Sequence, residues 1–259
     1  LIPDVIHESF TEGDRLFAHL DMSQAYHQLV VAPSSRQFLA FKLPRVTAAQ
    51  CKELGFARPF QVTWNRVPFG LTDAVTSFSN ITMNTFQPAG FAPYLDDLGF
   101  GAEGADALTK KLWKVFQLAA RAGISFGTKC CLYQKSITFL GYKISAAGVK
   151  LDPERVRALL DMKIPETISE LRTFLGMVQF CSNFLGVDFA TAAAPLTELT
   201  KNPQRHDFGW TDMHTAAVER IKSLLTTAPV LRPFDNRLET VVVTDGSEQG
   251  VGAVLLQKH

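Results

Sequence analysis

The pattern of hydrophobic and polar positions changes near residue 150 of this 259-residue chain. Before that point, short apolar runs such as residues 16–20 alternate with segments of helical spacing such as residues 105–122, which end at Gly123. After it, helical spacing dominates as far as a last apolar run at residues 241–244. The pattern therefore predicts an α+β fold in which a mixed region precedes a helical one.

Turn and cap residues set the expected limits of the individual elements. Strands are predicted over residues 16–20, 38–43, 60–64 and 241–244, as two short strands within 94–100, and as a strand–turn–strand over 137–144. Helices are predicted over residues 4–13, 47–55, 72–86, 105–122, 153–162, 168–184, 194–199 and 212–226, with a further helix beginning within 23–29.

Two changes of composition divide the chain, one near residue 150 and one near Leu238. We therefore expect three units, at residues 1–148, 149–237 and 238–259. The chain begins at Leu1 and ends in an apolar run, so we expect both ends to continue in a longer protein.

Composition narrows the class of protein. Hydrophobic residues make up 46% and charged residues 20%, which excludes a disordered tail, a collagen-like repeat and a coiled coil. The 26 Lys and Arg residues nearly balance the 25 Asp and Glu residues, so nucleic-acid binding would need a local basic patch. No apolar run reaches the roughly 18 residues that span a bilayer, and we expect no membrane partner.

The cysteines argue against a zinc site. Cys51, Cys130, Cys131 and Cys181 form no CxxC pair. Unpaired thiols of this kind favour a reducing, intracellular compartment.

Three aspartates stand where apolar strand residues end. Asp21 follows residues 17–20, and Asp96 and Asp97 follow Tyr94 and Leu95. Adjacent carboxylates near a third one repel each other unless a cation compensates them, and magnesium prefers such hard oxygen ligands. Two such ions about 3.5–4 Å apart would stabilise both oxygens of a phosphoryl transfer. The alternative is a solvated turn.

Several segments resemble reverse transcriptases of gypsy-type LTR retrotransposon polyproteins. Residues 94–97 (YLDD) resemble the YxDD signature, residues 20–28 (LDMSQAYHQ) the first-aspartate motif, and residues 67–74 (VPFGLTDA) the MPFGLTNAP block. The later segments, in family order, are residues 139–141 (FLG), 174–176 (FLG), 194–199 (APLTEL) and 228–231 (APVL). Each motif alone is weak, but their order along nearly the whole chain makes coincidence improbable.

The resemblance implies a right-hand polymerase fold: an antiparallel palm with part of the fingers at residues 1–148, and a helical thumb and connection at 149–237. It implies that Asp21, Asp96 and Asp97 are catalytic and hold two Mg²⁺ ions, with Mn²⁺ as a possible substitute. It implies a primer grip at Phe139, Leu140 and Gly141. The residues implied to contact the nucleotide are Met22, Ser23, Gln24, Ala25, Tyr26, Phe69, Gly70 and Lys129.

Each of these roles has a plainer alternative. Tyr26 would exclude a ribose 2′-hydroxyl, or would be an ordinary half-buried aromatic residue. Phe69 would line the nucleotide pocket or lie in the core, and Lys129 would approach the triphosphate or be a surface lysine. Residues 139–141 would position the primer end or form an ordinary hairpin.

The last segment resembles the start of an RNase H-like α/β domain. Residues 244–247 (TDGS) are similar to the family's TDAS, which implies a metal-binding role for Asp245. Residues 238–259 would then form the first strand of that domain. One carboxylate cannot hold two metal ions, so RNase H activity is not expected from these residues alone.

The chain departs from the family pattern at several positions. The family's first finger strands are absent, and the segment from Pro44 to Pro59 lengthens a fingers hairpin. Pro93 removes a hydrogen-bond donor from a strand. Other differences are Asp73 for asparagine, Val75 for proline, and Cys181-Ser182-Asn183 where aromatic and basic residues are common.

The leading hypothesis is an RNA-directed DNA polymerase that acts on a template-primer and deoxynucleoside triphosphates, as part of a polyprotein in a cytoplasmic particle or the nucleus. The alternative is a domesticated fragment that serves as a non-catalytic subunit of a host assembly. An unrelated phosphotransferase is disfavoured, because the thumb and connection motifs would have no place in it.

Overall fold

The structure is a computed structural model that describes residues 2–42, 47–53, 55, 61–186, 188–201, 208–235, 237–247 and 250–258. The chain forms two compact units. The first contains residues 1–9, 18–100 and 105–133, and the second contains residues 10–17, 101–104 and 134–259.

The mixed helix-and-sheet fold expected from the sequence is confirmed. The helices are α1 (Ile2–Ser9), α2 (Ala48–Glu53), α3 (Thr72–Phe86), α4 (Ala105–Ala122), α5 (Pro153–Leu160), α6 (Ile168–Gln179), α7 (Ser182–Leu185), α8 (Asp188–Thr200) and α9 (Asp212–Thr226), with 3₁₀ turns at Ala25–Gln28, Pro33–Leu39 and Gln87–Ala89.

In the part of the chain that the structure describes, the strands form four small sheets. Their spatial orders are β4-β5-β1-β6, β2-β3, β7-β8-β9 and β10-β11. The strands are β1 (Leu16–Asp21), β2 (Ala40–Lys42), β3 (Gln61–Thr63), β4 (Pro93–Tyr94), β5 (Asp97–Ala102), β6 (Cys131–Gln134), β7 (Ser136–Phe139), β8 (Tyr142–Ser145), β9 (Gly148–Leu151), β10 (Thr240–Ser247) and β11 (Gly250–Gln257).

The four-stranded sheet places β1 and β5 side by side in its interior. Both strands are largely buried, since Phe17, Ala18 and Leu20 of β1 and residues 98–102 of β5 are shielded from solvent. Buried central strands read as continuous apolar runs, which is the pattern that the sequence shows here. Pro93 lies in the edge strand β4, where a missing donor is tolerated.

Two long helices of the first unit have the spacing that the sequence predicts. Helix α4 buries Leu108, Leu112, Val115 and Ala119, which recur at three- and four-residue intervals. Helix α3 buries Phe78 and Phe86 in the same manner. No described helix is long and apolar enough to span a bilayer.

The antiparallel sheet β7-β8-β9 in the second unit has one apolar face. Ile137, Ile144 and Val149 are register partners across its three strands and are all buried. The intervening positions Lys143 and Lys150 also face each other across the strands. Helices α6, α8 and α9 each bury large apolar side chains as well, among them Phe174, Leu196 and Ile221.

The predicted first and last residues of several helices are wrong where short elements follow one another. The segment 168–184 is two helices rather than one, because the chain turns at Phe180 and Cys181. Helix α8 begins at Asp188, before the predicted start at Ala194, because an alanine-rich turn precedes Pro195. Helix α1 ends at Ser9, before Gly13, and residues 23–29 yield only a 3₁₀ turn.

The pattern did not find β6, β9 or β11. Neighbouring strands define the first two more than their own residue pattern does, whereas β7 and β8, which are equally short, were predicted. The C-terminal segment was expected to hold one strand and forms the β10-β11 hairpin instead. Half of the segment from Pro44 to Pro59 lies outside the described residues, which include 47–53, with helix α2, and Gly55.

Helix α5 offers a test of the local sequence signals. The Asp152 carboxylate accepts a hydrogen bond from the Glu154 N–H at 3.2 Å and caps the helix. We expect Asp152→Ala to lower the free energy of unfolding by about 1 kcal/mol. Asp161→Ala, at the other end of the helix, removes an equal charge and should cost no stability, because a carboxylate there opposes the helix dipole. Equal losses in urea unfolding would contradict the cap.

Candidate active site

The end of β1 and the β4-β5 turn bring the predicted aspartates together. The Met22 N–H donates to the Asp96 carbonyl at 2.8 Å, so Asp21 and Asp96 lie at adjacent strand ends. Asp97 is the first residue of β5. All three side chains are half-buried in the first unit.

The turn that carries Asp96 has an unusual backbone. Tyr94 pairs directly with Asp97, which leaves Leu95 and Asp96 as the two turn residues. Leu95 has a φ of 55°, in the left-handed region that costs a non-glycine residue about 1–2 kcal/mol. This strained turn is a feature of the site, since it sets Asp96 at the tip of the hairpin.

The backbone of Asp21 is hydrogen-bonded to residues of the segment 127–130. The Gly127 N–H donates to the Asp21 carbonyl at 2.7 Å, and a β-carbon at Gly127 would lie 3.1 Å from Oδ2 of the Asp21 carboxylate. From the same short segment of chain, Sγ of Cys130 accepts a hydrogen bond from the Asp21 N–H at 3.3 Å. A side chain larger than hydrogen at position 127 would crowd the carboxylate.

Asp97 has a partner that the sequence motifs did not indicate. Nε2 of His19 lies 2.8 Å from Oδ1 of Asp97. His19 is two residues before Asp21 on β1, and the two-residue period of a strand puts both side chains on one face. That period was the available signal for finding His19.

The Asp96 carboxyl has a raised pKa. Burial is the largest cause, and a hydrogen bond that the carboxylate accepts from its own backbone N–H opposes it. The negative charges of Asp97 and Asp21 raise the pKa further. A cation bound beside this carboxylate would offset these effects.

Three carboxylates are hard oxygen donors of the kind that divalent cations prefer. As they stand, no three His, Cys, Asp or Glu side chains in the part of the chain that the structure describes converge closely enough to hold an ion. The donor chemistry fits a divalent metal, while Asp97 is engaged by His19.

The loop after Asp21 contains the predicted nucleotide contacts. Met22 is buried, and the Ser23 N–H donates to the Ser125 carbonyl at 3.0 Å, so the amides of both residues are used within the protein. The amides of Gln24 and Ala25 make no such bond to another described residue. Gln28, which the motifs did not single out, fixes the loop by bonds to Ser23 and to Ser125.

Tyr26 lies between two phenylalanine rings. Its ring centroid is 5.7 Å from that of Phe69 and 6.0 Å from that of Phe78, both at steep angles. Phe78 is buried, whereas Phe69 is 65% exposed, so the interpretation of Phe69 as a core residue is wrong. Gly70 follows with a φ of 90°, in the left-handed region.

Lys129 is exposed and immediately precedes Cys130, whose thiol contacts the Asp21 backbone. Its ammonium group makes no hydrogen bond or ion pair to any residue that the structure describes. Exposure leaves both predicted interpretations of Lys129 open.

The remaining predicted residues belong to the second unit. Phe139 is buried at the end of β7, and Leu140 and Gly141 form the turn to β8 with φ values of 51° and 79°. Asp245 lies in β10 opposite Gly252, and its side chain is outside the described atoms.

Comparison with known proteins agrees with this arrangement. Residues 4–144 match the family described as "Reverse transcriptase (RNA-dependent DNA polymerase)", and residues 210–259 match the "RNase H-like domain found in reverse transcriptase". The Tf2-3 and Tf2-7 transposon polyproteins of Schizosaccharomyces pombe are each 30% identical over 252 residues, which is 96% of this chain and 18% of theirs. The chain thus spans under a fifth of the length of these relatives.

Solved structures show the same fold. A foamy viral protease-reverse transcriptase in complex with double-stranded DNA superimposes with a TM-score of 0.83 at 24% identity, over 98% of this chain and 42% of that one. A second structure of the foamy viral enzyme, with an RNA/DNA hybrid, gives 0.77 at 24% identity, over 97% and 34%. The family match, the transposon relatives and the fold agree with the motifs in the sequence, and the chain therefore belongs to the reverse transcriptase family, in the form carried by gypsy-type LTR retrotransposon polyproteins.

Proposed function

We propose that this chain is the polymerase region of a polyprotein and adds deoxynucleotides to a primer 3′-hydroxyl on an RNA or DNA template. The observation that carries the proposal is the adjacency of Asp21 to Asp96 and Asp97 at neighbouring strand ends. Reverse transcriptases as a family use divalent metal ions. Asp21, Asp96 and Asp97 would hold two Mg²⁺ ions here, or Mn²⁺ in their place, and such ions activate the attacking hydroxyl and stabilise the departing pyrophosphate.

The protein's own groups would orient the reactants. The Gln24 and Ala25 amides are available to a triphosphate, on the backbone that Met22 and Ser23 lead into, and Lys129 would add a positive charge. His19 would fix the orientation of Asp97 until metal binds.

Tyr26 would select the sugar. Its ring packs against Phe69 and against the buried Phe78, which would restrict its movement when an added oxygen approaches. Phe69 and Gly70 would line the same pocket, which agrees with the exposure of the Phe69 ring.

The proposal also assigns a role to each of the three segments expected from the sequence. Residues 1–148 would be the palm and part of the fingers, 149–237 the thumb and connection, and 238–259 the start of an RNase H-like domain that includes Asp245. Residues 139–141 would hold the primer end. The partners would be a template-primer, deoxynucleoside triphosphates and the rest of the polyprotein, in the cytoplasm or the nucleus.

Removal of one carboxylate tests the chemistry. We expect Asp96→Asn in the full-length protein to slow primer extension on an RNA template with Mg²⁺ by at least about a hundredfold, because metal clamps contribute several kcal/mol to such transition states. Asp106→Asn makes the same change at an exposed position of α4 and should extend normally. Equal extension by both variants would remove Asp96 from the mechanism. A protein that binds duplex but never extends a primer would favour the non-catalytic alternative.

Sugar selection is tested by the ring of Tyr26. We expect Tyr26→Ala to raise the ratio of kcat/KM for ribonucleotides over deoxynucleotides by at least about tenfold, because it opens space for the 2′-hydroxyl. Tyr26→Phe keeps the ring and should keep the selectivity. An unchanged ratio in Tyr26→Ala would show that another group excludes ribose.

The raised pKa of Asp96 makes stability depend on pH. A carboxyl whose pKa is higher in the folded than in the unfolded chain destabilises the fold as pH rises from the unfolded value, 3.8, through the folded one. We therefore expect Asp96→Asn to unfold at a higher temperature than wild type at pH 7 in chelator. The gain should not exceed about 1 kcal/mol, because the group is only half-buried, and it should shrink as pH falls.

Asp106→Asn is the control for this experiment. Asp106 lies in the first turn of α4, where a negative charge is favourable, so its loss should give no gain at any pH. A variant Asp96→Asn that is less stable than wild type at pH 7 would contradict the repulsion among the carboxylates.

A further inference from the structure

The guanidinium group of Arg155 lies flat between two surfaces of the second unit. On one side, its Cζ is 3.8 Å from the ring centroid of Phe180. On the other side lies Gly141 in the turn between β7 and β8, where an added β-carbon would be 3.0 Å from Nη1 and 3.1 Å from Cζ of Arg155. Both faces of the guanidinium are therefore covered.

The surface beneath Arg155 is rigid. Phe180 stacks on Tyr142 with centroids 4.9 Å apart, and Tyr142 stacks on Phe184 at 5.6 Å. The Tyr142 hydroxyl also donates to the Phe180 carbonyl at 3.3 Å. Arg155 thus ends a stack of three rings, which restricts the rotamers of a long side chain before any ligand arrives.

Gly141 lets the turn between β7 and β8 approach the Arg155 guanidinium closely. Gly141 has a φ of 79°, which L side chains rarely adopt, and a β-carbon there would press on the guanidinium. Glycine is required at this position for two independent reasons, one conformational and one steric.

The edge of the guanidinium has no partner. None of its N–H groups donates to a described residue, and no described carboxylate lies within ion-pair distance of it. The nearby Asp152 carboxylate is occupied by the Glu154 N–H. A guanidinium has five N–H donors in its plane, so covering both faces leaves the whole edge free.

This geometry fits an anion with several oxygens. Planar, fixed arginine donors match phosphate oxygens in pairs, and the cost of holding the side chain has been met by stacking. Lys143 and Lys150, which pair across β8 and β9, lie on the face of that sheet opposite to Tyr142 and are not part of this site.

We propose that Arg155 binds one backbone phosphate of a nucleic acid strand that runs along the turn formed by Leu140 and Gly141. The inference rests on the proposed function, since it adds a phosphate contact to the suggested primer grip. A nucleic acid strand is the phosphate source that we favour, because the proposed function needs a primer strand and residues 139–141 would hold its end.

A scan of neutral phosphates tests the proposal. Primer–template duplexes are prepared with a single methylphosphonate at successive positions, and their affinity for the full-length protein is measured in chelator, where no chemistry occurs. In wild type we expect one position on one strand to lower affinity by about tenfold. Arg155→Gln should bind the unmodified duplex about tenfold less tightly and show no further loss at that position.

Arg157→Gln is the matched control. It removes the same charge from the same helix, but two residues on, which places it on another side of α5. Arg157→Gln should lose affinity at the same methylphosphonate position as wild type and by the same factor. The salt dependence gives a second readout, since Arg155→Gln should lower the slope of log affinity against log salt by about 1.

A folding defect is separated from a lost contact by two further variants. Arg155→Lys keeps the charge and Phe180→Leu keeps an apolar side chain, and both should weaken the response at the same phosphate, because the planar donor or its support is gone. Melting temperatures identify which variants remain folded.

An Arg155→Gln protein that is folded and scans like wild type would overturn the proposal. If wild type extends primers normally in that case, the failure concerns Arg155 alone. If wild type neither binds duplex nor extends primers, the proposed function fails as well. If Arg155→Gln no longer binds free inorganic phosphate but gives the wild-type duplex scan, Arg155 binds a small anion rather than a nucleic acid strand. That result would also overturn the proposal.

Discussion

The pairing of β1 with β5 is the constraint on which the candidate site depends. The hydrogen bond from the Met22 N–H to the Asp96 carbonyl fixes the register, and the register brings three carboxylates to one end of the sheet. Mutual repulsion opposes this arrangement, and burial of Phe17, Leu20 and Leu98 on the same strands compensates for it. The apolar strands therefore hold a charge cluster that would not assemble by itself.

The local geometry around that cluster is specialised in ways that a generic hairpin does not need. A non-glycine residue takes a left-handed conformation at Leu95, and Gly127 allows the backbone to approach the Asp21 carboxylate. His19 holds Asp97 from the same strand that supplies Asp21. Strain and close approach of this kind are retained where geometry serves chemistry, because each costs stability.

Periodic elements and strand-end aspartates could be predicted from the sequence, because each is set by local spacing. The limits of α3, α4 and α9 follow directly from apolar periodicity and caps. The contacts of His19 and Arg155 could not be predicted, because each depends on which distant segment folds against it: Asp97 in one case, Gly141 and Phe180 in the other. The four-residue strands β6 and β9 were missed for the same reason, since neighbouring strands define them more than their own pattern does.

The overall charge bears on how the proposed binding of nucleic acid would work. With a net charge of +1, the chain has no general attraction for a polyanion, and the acidic cluster would repel one. Under the proposed function, affinity for nucleic acid would come from a few groups held in place, so that little conformational entropy is lost on binding. Arg155 has this property because Phe180 and Gly141 fix its plane, whereas an exposed lysine such as Lys129 must be ordered by its ligand. In the proposed nucleotide pocket, the exposed Phe69 ring beside Tyr26 would offer an apolar surface rather than charge.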